Sequence, residues 1–181
     1  MPVFIALYRG INVGGKNSVK MESLRAMHER LGHRSVKTYI QSGNVVFAAA
    51  EPAEDIAKAC AVGFAQDFGF SSRVMIVEAS RWEEIVANAP YAEHAAVDAK
   101  TVHVGVCLGN PDAPRLATLL AKTKGREAFE VQGDVLYLHS PDGLGRSKFA
   151  EGIEKAAGVP ITMRNWRTME ALRDMAAAVE N

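Results

Sequence analysis

The sequence predicts an α+β protein made of two tandem ferredoxin-like modules, each a split βαβ unit with a mainly antiparallel sheet, closed by an added C-terminal helix. Three observations predict it. The order strand, helix, strand, strand, helix, strand runs through residues 3–77 and recurs through residues 102–163. Tight-turn sequences around Gly43 and Gly133 join the middle strands of each half. A chain of 181 residues with 48% hydrophobic content has an ordinary core for one compact unit or two small modules. The expected division is residues 1–79 for the first module and 80–181 for the second, which includes a linker helix and the C-terminal helix, the two packed as one unit.

Val3 to Tyr8 is a short apolar run between Pro2 and Gly10 and reads as a buried strand. Met21, Leu24, Met27, His28 and Leu31 recur at helical spacing, and Gly32 is placed to end that helix. Lys20, Arg25 and Arg30 make its outer face basic. Val36 to Ile40 and Val45 to Ala49 are β-prone runs around Gln41-Ser42-Gly43-Asn44, where Gly and Asn tolerate the positive φ of a tight hairpin. Pro52 suits a first helical turn, and Ile56, Cys60, Phe64 and Phe68 lie four apart on one face before Gly69. Arg73 to Val77 closes the half as a strand.

In the second half, Ser80 and Glu83 form a capping-box pattern for a short helix through Trp82, Ile85 and Val86, ended by Pro90. Tyr91 to Lys100 reads as a polar connector. Val102 to Val106 alternates like a half-buried strand, and Asp112 caps a helix carrying Leu116, Leu119 and Leu120. Phe129 to Val131 and Val135 to Leu138 make the second hairpin. A helix with Phe149, Ile153 and Ala157 ends at Gly158, Val159 to Met163 is the last strand, and Trp166 to Val179 the final helix. The repeated order implies an internal duplication.

The 21 basic and 21 acidic residues cancel, so overall charge makes no case for nucleic acid or membrane. Their distribution is uneven, with basic groups in excess over residues 1–50 and acidic ones over residues 51–100. Cys60 and Cys107 sit in apolar or Ala-rich runs, which suits reduced, buried thiols. The N-terminal apolar run is too short for a signal peptide, and no run approaches the ~20 apolar residues of a membrane helix. A soluble cytoplasmic protein is expected.

The candidate site is the stretch Arg9-Gly10-Ile11-Asn12-Val13-Gly14-Gly15-Lys16-Asn17, between the first strand and the first helix. Glycines let a backbone turn sharply and approach a partner closely, while Arg9, Lys16, Asn12 and Asn17 supply charge and amide donors. Residues 10–16 satisfy the G-x-x-x-x-G-K phosphate-loop pattern, but Asn17 stands where a magnesium-binding Ser or Thr is needed. An anion-holding loop is the reading that remains. In an antiparallel split βαβ module the Gln41, Ser42, Gly43 and Asn44 turn falls at the end where the first strand finishes, which brings it to the glycine loop. Arg164-Asn165-Trp166-Arg167-Thr168 opens the last helix, where free amides and two guanidinium groups attract anions. The plain alternative has Asn165 as an N-cap and Trp166 as a core anchor. Gly143 to Lys148 reads as a loop and cap. The candidate ligand-binding set is thus Arg9, Gly10, Asn12, Gly14, Gly15, Lys16, Asn17, Gln41, Ser42, Asn44, Arg164, Asn165 and Arg167.

Catalytic signatures are missing from the sequence. No histidine has metal-ligand spacing with the cysteines, none sits in an H-x-x-x-H pattern, and there is no G-x-S-x-G elbow. Neither metal nor cofactor is expected. Arg9 to Gly15, Thr38 to Asn44 and Arg164 to Thr168, in that order, resemble the bacterial family called domain of unknown function 1697, over nearly the whole chain. The resemblance implies an α+β fold of two ferredoxin-like parts and carries no activity. Two functional classes follow from the residues, the first a binder of a small phosphate- or carboxylate-bearing ligand. The alternative is an RNA or single-stranded nucleic-acid module with Tyr8, Tyr39 and Phe47 as candidate stackers. A structural or dimerising protein is the third possibility.

Overall fold

The computed structural model describes residues 1–179. The first half runs β1 (Val3–Tyr8), α1 (Met21–Arg30), β2 (Arg34–Tyr39), β3 (Asn44–Ala48), α2 (Ala53–Phe68) and β4 (Val74–Glu78). After α3 (Ala79–Ala87) and α4 (Ala92–Val97) come β5 (Val102–Cys107), α5 (Ala113–Thr123), β6 (Ala128–Gln132), β7 (Val135–His139), α6 (Lys148–Ala157), β8 (Ile161–Asn165) and α7 (Trp166–Ala177). The strands form two four-stranded sheets, ordered β2-β3-β1-β4 and β6-β7-β5-β8, with antiparallel pairing throughout. Contacts group the chain into two compact units, residues 1–84 with those from Ala171 onward, and Ile85–Glu170.

Period-two alternation in β1 sends Phe4, Ala6 and Tyr8 to the helix-covered face, where they join Val45 and Phe47 of β3, Leu24 and Met27 of α1, and Ile56, Cys60 and Phe64 of α2. Its other side chains, Ile5 and Leu7, are fully buried as well, and so is Val46. Both faces of β1 and β3 are therefore covered, which explains why Val3 to Tyr8 is a continuous apolar run rather than an alternating one. In the second unit Leu136, Leu138, Cys107 and Ile161 of the sheet pack with Leu116 of α5 and Phe149, Ile153 and Ala157 of α6.

Several local expectations are corrected. Ser80 caps nothing: α3 begins at Ala79 directly after β4, so Ser80 lies inside the helix. The connector 91–100 holds α4 and a 3₁₀ turn, Ala99–Thr101, capped by the Asp98 side chain on the Lys100 amide. The last strand is Ile161–Asn165, displaced toward the C-terminus because its register is set by pairing with β5, Cys107 against Ile161 and His103 against Asn165. Asp112 accepts from the Arg115 amide and caps α5 as expected.

The two hairpin glycines are not equivalent. In the first unit the Tyr8 amide donates to Gly43 O at 2.8 Å, whereas in the second the matching strand-end amide, that of Cys107, donates to Asp134 O at 2.8 Å rather than to Gly133. The turn leading into β3 has four residues between paired Tyr39 and Asn44; that leading into β7 has two, between Gln132 and Val135.

His103, in the middle of the second sheet, is 9% exposed and its Nδ1 has no hydrogen-bond partner. Burial pushes its imidazole down to about 4. A basic group whose folded value is depressed stays neutral in the fold while the unfolded chain takes up a proton. The stability it permits is therefore complete above its ordinary value and is lost as pH falls toward the depressed one. Wild type is expected to lose about 2 kcal/mol more than His103→Leu between neutral pH and about pH 4.5. Urea unfolding of both proteins at the two pH values measures it.

Candidate functional site

The connection between β1 and α1 spans residues 9–20 and folds as a small hairpin of its own. Val13 and Lys16 form an antiparallel bridge, the Asn12 amide donates to Asn17 O and the Lys16 amide to Val13 O, each at 3.0 Å. Gly14 and Gly15 occupy the turn with φ of +58° and +73°, the two successive left-handed positions of a type I′ turn. The G-x-x-x-x-G-K spacing is thus used for a hairpin, and the amides of Asn12 and Lys16 are spent inside it rather than left to cradle a phosphate.

Asparagine side chains fasten the hairpin. Asn12 Nδ2 donates to Val19 O at 2.9 Å and to Gln41 O at 2.8 Å, and Asn12 Oδ1 accepts from the Val19 amide at 2.8 Å. Asn17 Nδ2 donates to Gly10 O at 3.0 Å. On the other side, Asn44 Nδ2 donates to Tyr39 O and to Ser42 Oγ. The glycine connection and the Gln41 to Asn44 turn are joined at the carboxyl end of β1, as the antiparallel order requires. Arg9 is held by its backbone, its amide on Arg73 O and its carbonyl accepting from Ser72 Oγ.

Among the candidate residues, then, Asn12, Asn17, Ser42 and Asn44 serve as braces, Gly10, Gly14 and Gly15 serve as turn positions, and Lys16 and Gln41 are exposed. Beyond Asn17 the chain enters an open groove of about 410 Å³ lined by Ser18, Lys20, Ser23, Ala26, Arg30, Asp67 and Phe68. Lys20 precedes α1 with no side-chain capping bond, and Arg30 pairs with Asp67. The hydroxyls of Ser18 and Ser23 escape a search for glycine-and-base patterns, and only the basic face of the first helix hinted at this groove.

Arg164, Asn165 and Arg167 belong to the second unit. Asn165 Oδ1 accepts from the Thr168 amide at 2.9 Å and Trp166 is 7% exposed, so this motif is a cap and an anchor. Arg164 is half-buried and donates to Met163 O, while Arg167 is exposed. Residues 143–148 likewise form a 3₁₀ turn and the Ser147 cap of α6. The nucleic-acid reading loses two of its three stackers, because Tyr8 and Phe47 are fully buried.

Fold and site together define an α+β protein with two four-stranded antiparallel sheets and a braced glycine hairpin at the end of its first strand. The chain belongs to the family described as protein of unknown function DUF1697, whose model matches residues 1–137. The first two sequence motifs lie inside that match and Arg164 to Thr168 lies beyond it. Among solved structures the chain is similar to the conserved bacterial protein SP0830 from Streptococcus pneumoniae, at 21% identity over 97% of this chain and 98% of that one, with a TM-score of 0.71. That likeness concerns the fold. A protein described as a candidate chlorite dismutase, TA0507, aligns at 13% identity over 98% of this chain and 99% of that one, with a TM-score of 0.27, too low to argue from. A comparison with curated proteins gives no match. Among the described residues no helix is long and apolar enough to cross a membrane.

Proposed function

We propose that the chain binds a small ligand bearing a phosphate or carboxylate at the hairpin end of the first sheet, in the cytoplasm, on a scaffold of two ferredoxin-like modules spanning residues 1–79 and 80–181. The identical strand orders of the two sheets support the duplicated scaffold. Both cysteines are free, which agrees with a reducing compartment.

One observation carries the ligand reading. The second unit joins the equivalent strand and helix, β5 and α5, through residues 108–112 alone, whereas the first uses residues 9–20. The fold does not need the extra hairpin, yet four hydrogen bonds made by the Asn12 and Asn17 side chains fix it in place. Lys16 on the hairpin and Lys20, Ser18 and Ser23 along the adjoining groove are the donors such an anion requires, and the uncapped amides of α1 add to their field. Val13 and Ile40, 66% and 50% exposed, offer an apolar rim to the organic part of the ligand.

A thermal-shift series with inorganic phosphate, nucleotides, sugar phosphates and dicarboxylates tests the reading. At ten times its dissociation constant the right class is expected to raise the melting temperature by about 3 to 6 °C. The rise should vanish in Lys16→Ala, Lys20→Ala and Arg9→Ala and persist in Arg167→Ala. Flat responses across the series would sink it.

A further inference from the structure

Inside the first unit lies a buried polar chain in which Tyr8, His28, His33 and Cys60 come from β1, α1, the segment after α1, and α2. Tyr8 Oη and His28 Nε2 are 2.9 Å apart, and His28 Nδ1 is 2.9 Å from His33 Nδ1. Tyr8 also shares a hydrogen bond with the Cys60 thiol. His28 and Cys60 are fully buried and His33 is 6% exposed, its ring stacked on Phe47 at 4.3 Å between centroids. Among the described residues the second unit buries His103, Ser140, Ser147, Thr162 and Thr168 as its polar side chains, with no second buried histidine beside His103. The architecture packs without such a chain, so its presence in the first unit calls for a use.

One potential ligand atom from each of His28, His33 and Cys60 lies within 4.8 Å of the others. Ligand bonds of about 2.0 Å to nitrogen and 2.3 Å to sulfur put the edges of a trigonal site at roughly 3.5 to 3.7 Å. With every edge at or below 4.8 Å, the shifts needed to meet that geometry are on the order of 1 Å. A neutral imidazole is the ordinary form near pH 7, so each ring can present a lone pair to a metal once the proton shared between the two Nδ1 atoms moves to the far nitrogen of its own ring. Tyr8 supplies the outer partner: with His28 bound through Nδ1, its Nε2–H donates to Tyr8 Oη, the arrangement that fixes the tautomer of a ligating histidine.

We propose that His28, His33 and Cys60 form a three-coordinate site for a soft monovalent d¹⁰ ion, Cu⁺. Charge and coordination number select the ion. One thiolate and two neutral imidazoles around Cu⁺ sum to zero, the only charge an apolar interior accepts cheaply, whereas Zn²⁺ leaves a buried positive charge. Zn²⁺ also wants a fourth ligand, and of the groups nearby Phe47 and Phe64 offer none, Tyr8 Oη is engaged by His28 and Cys60, and the Glu51 carboxylate that acts on His33 is exposed. Binding converts Cys60 S–H to a thiolate–copper bond and releases one proton to solvent; neither copper nor sulfur changes oxidation state. The site is separate from the anion reading above and stands or falls without it.

The test titrates the 181-residue chain, refolded under reducing, oxygen-free conditions, with Cu⁺ and separately with Zn²⁺, each against a chromogenic chelator. Wild type is expected to withdraw one Cu⁺ per chain and to release one proton in weakly buffered solution. Cys60→Ala and His33→Gln should each weaken binding by at least about 100-fold, Tyr8→Phe by about 10-fold to 100-fold with the stoichiometry kept, and Cys107→Ala not at all. His33 lies at the margin of the core, so His33→Gln remains informative if Cys60→Ala fails to fold. No withdrawal of Cu⁺ by folded wild type, withdrawal of Zn²⁺ alone, or equal affinity in Cys60→Ala or His33→Gln overturns the proposal.

Discussion

Gly43→Ala is expected to destabilise the first unit by about 2 to 5 kcal/mol, the sum of two costs that coincide at one position. Gly43 has φ +85°, where an L side chain costs roughly 1 to 2 kcal/mol. A Cβ built there lies 2.6 Å from Ile11 Cδ1 and 2.9 Å from Tyr8 Cβ, closer than real Cβ contacts come. Relief by movement is blocked on both sides. Ile11 is 2% exposed, and Tyr8 is tethered through its amide to Gly43 O and through its hydroxyl to His28. Overpacking of this kind adds about 1 to 3 kcal/mol. Gly133→Ala is the control: its φ is +60° but nothing lies within 4 Å of the added carbon, so it should lose only about 1 to 2 kcal/mol. Urea midpoints of the two variants decide the matter, and equal losses would mean that the close approach of Gly43 to the strand is not a feature of the folded protein.

What the sequence exposes and what it hides follow from the range of each signal. Element order is legible because it depends on periodicity within a segment: Ile56, Cys60 and Phe64 announce a helix face whatever they pack against. The meeting of the glycine stretch with the Gln41 to Asn44 turn is legible too, since antiparallel strand order alone dictates it. The connector 91–100 is illegible because Ala95 is the one residue of α4 that is buried, leaving no apolar stripe to read. Tyr8 and Phe47 were assignable as stackers only while one sheet face was free; the unbroken apolar run Val3 to Tyr8 already signalled a strand covered on both sides. The polar chain in the core is the hardest case. Helical spacing puts His28 on the buried face of α1, but His33 lies outside the helix and Cys60 on another one, so no local pattern links them. Nor could spacing reveal that the phosphate-loop pattern would close on itself, because the same glycines serve a type I′ hairpin as readily as an anion cradle.

Asn12→Ala is expected to cost about 2 to 4 kcal/mol and to loosen the hairpin from the turn it is tied to. Three hydrogen bonds go at once, two donated by Nδ2 to Val19 O and Gln41 O and one accepted by Oδ1 from the Val19 amide. Each contributes roughly 0.5 to 1.5 kcal/mol net, and the Val19 amide, on a residue 3% exposed, loses its partner where water cannot readily replace it. Asn12 also holds φ +53°, a conformation that asparagine tolerates and alanine resists. Asn12→Asp separates these contributions, since it keeps the acceptor for the Val19 amide and the tolerance of positive φ while removing both donors, so its loss should be intermediate. Amide hydrogen exchange reads the local effect: protection at Val19 should fall in Asn12→Ala and survive in Asn12→Asp. If the anion reading is right, Asn12→Ala weakens the thermal response to the ligand although no cation has been removed. The reason is that Lys16 then hangs from an untethered hairpin and must be ordered at the expense of binding. Combining Asn12→Ala with Lys16→Ala should cost no more affinity than Lys16→Ala alone, because the brace acts only through the charge it positions.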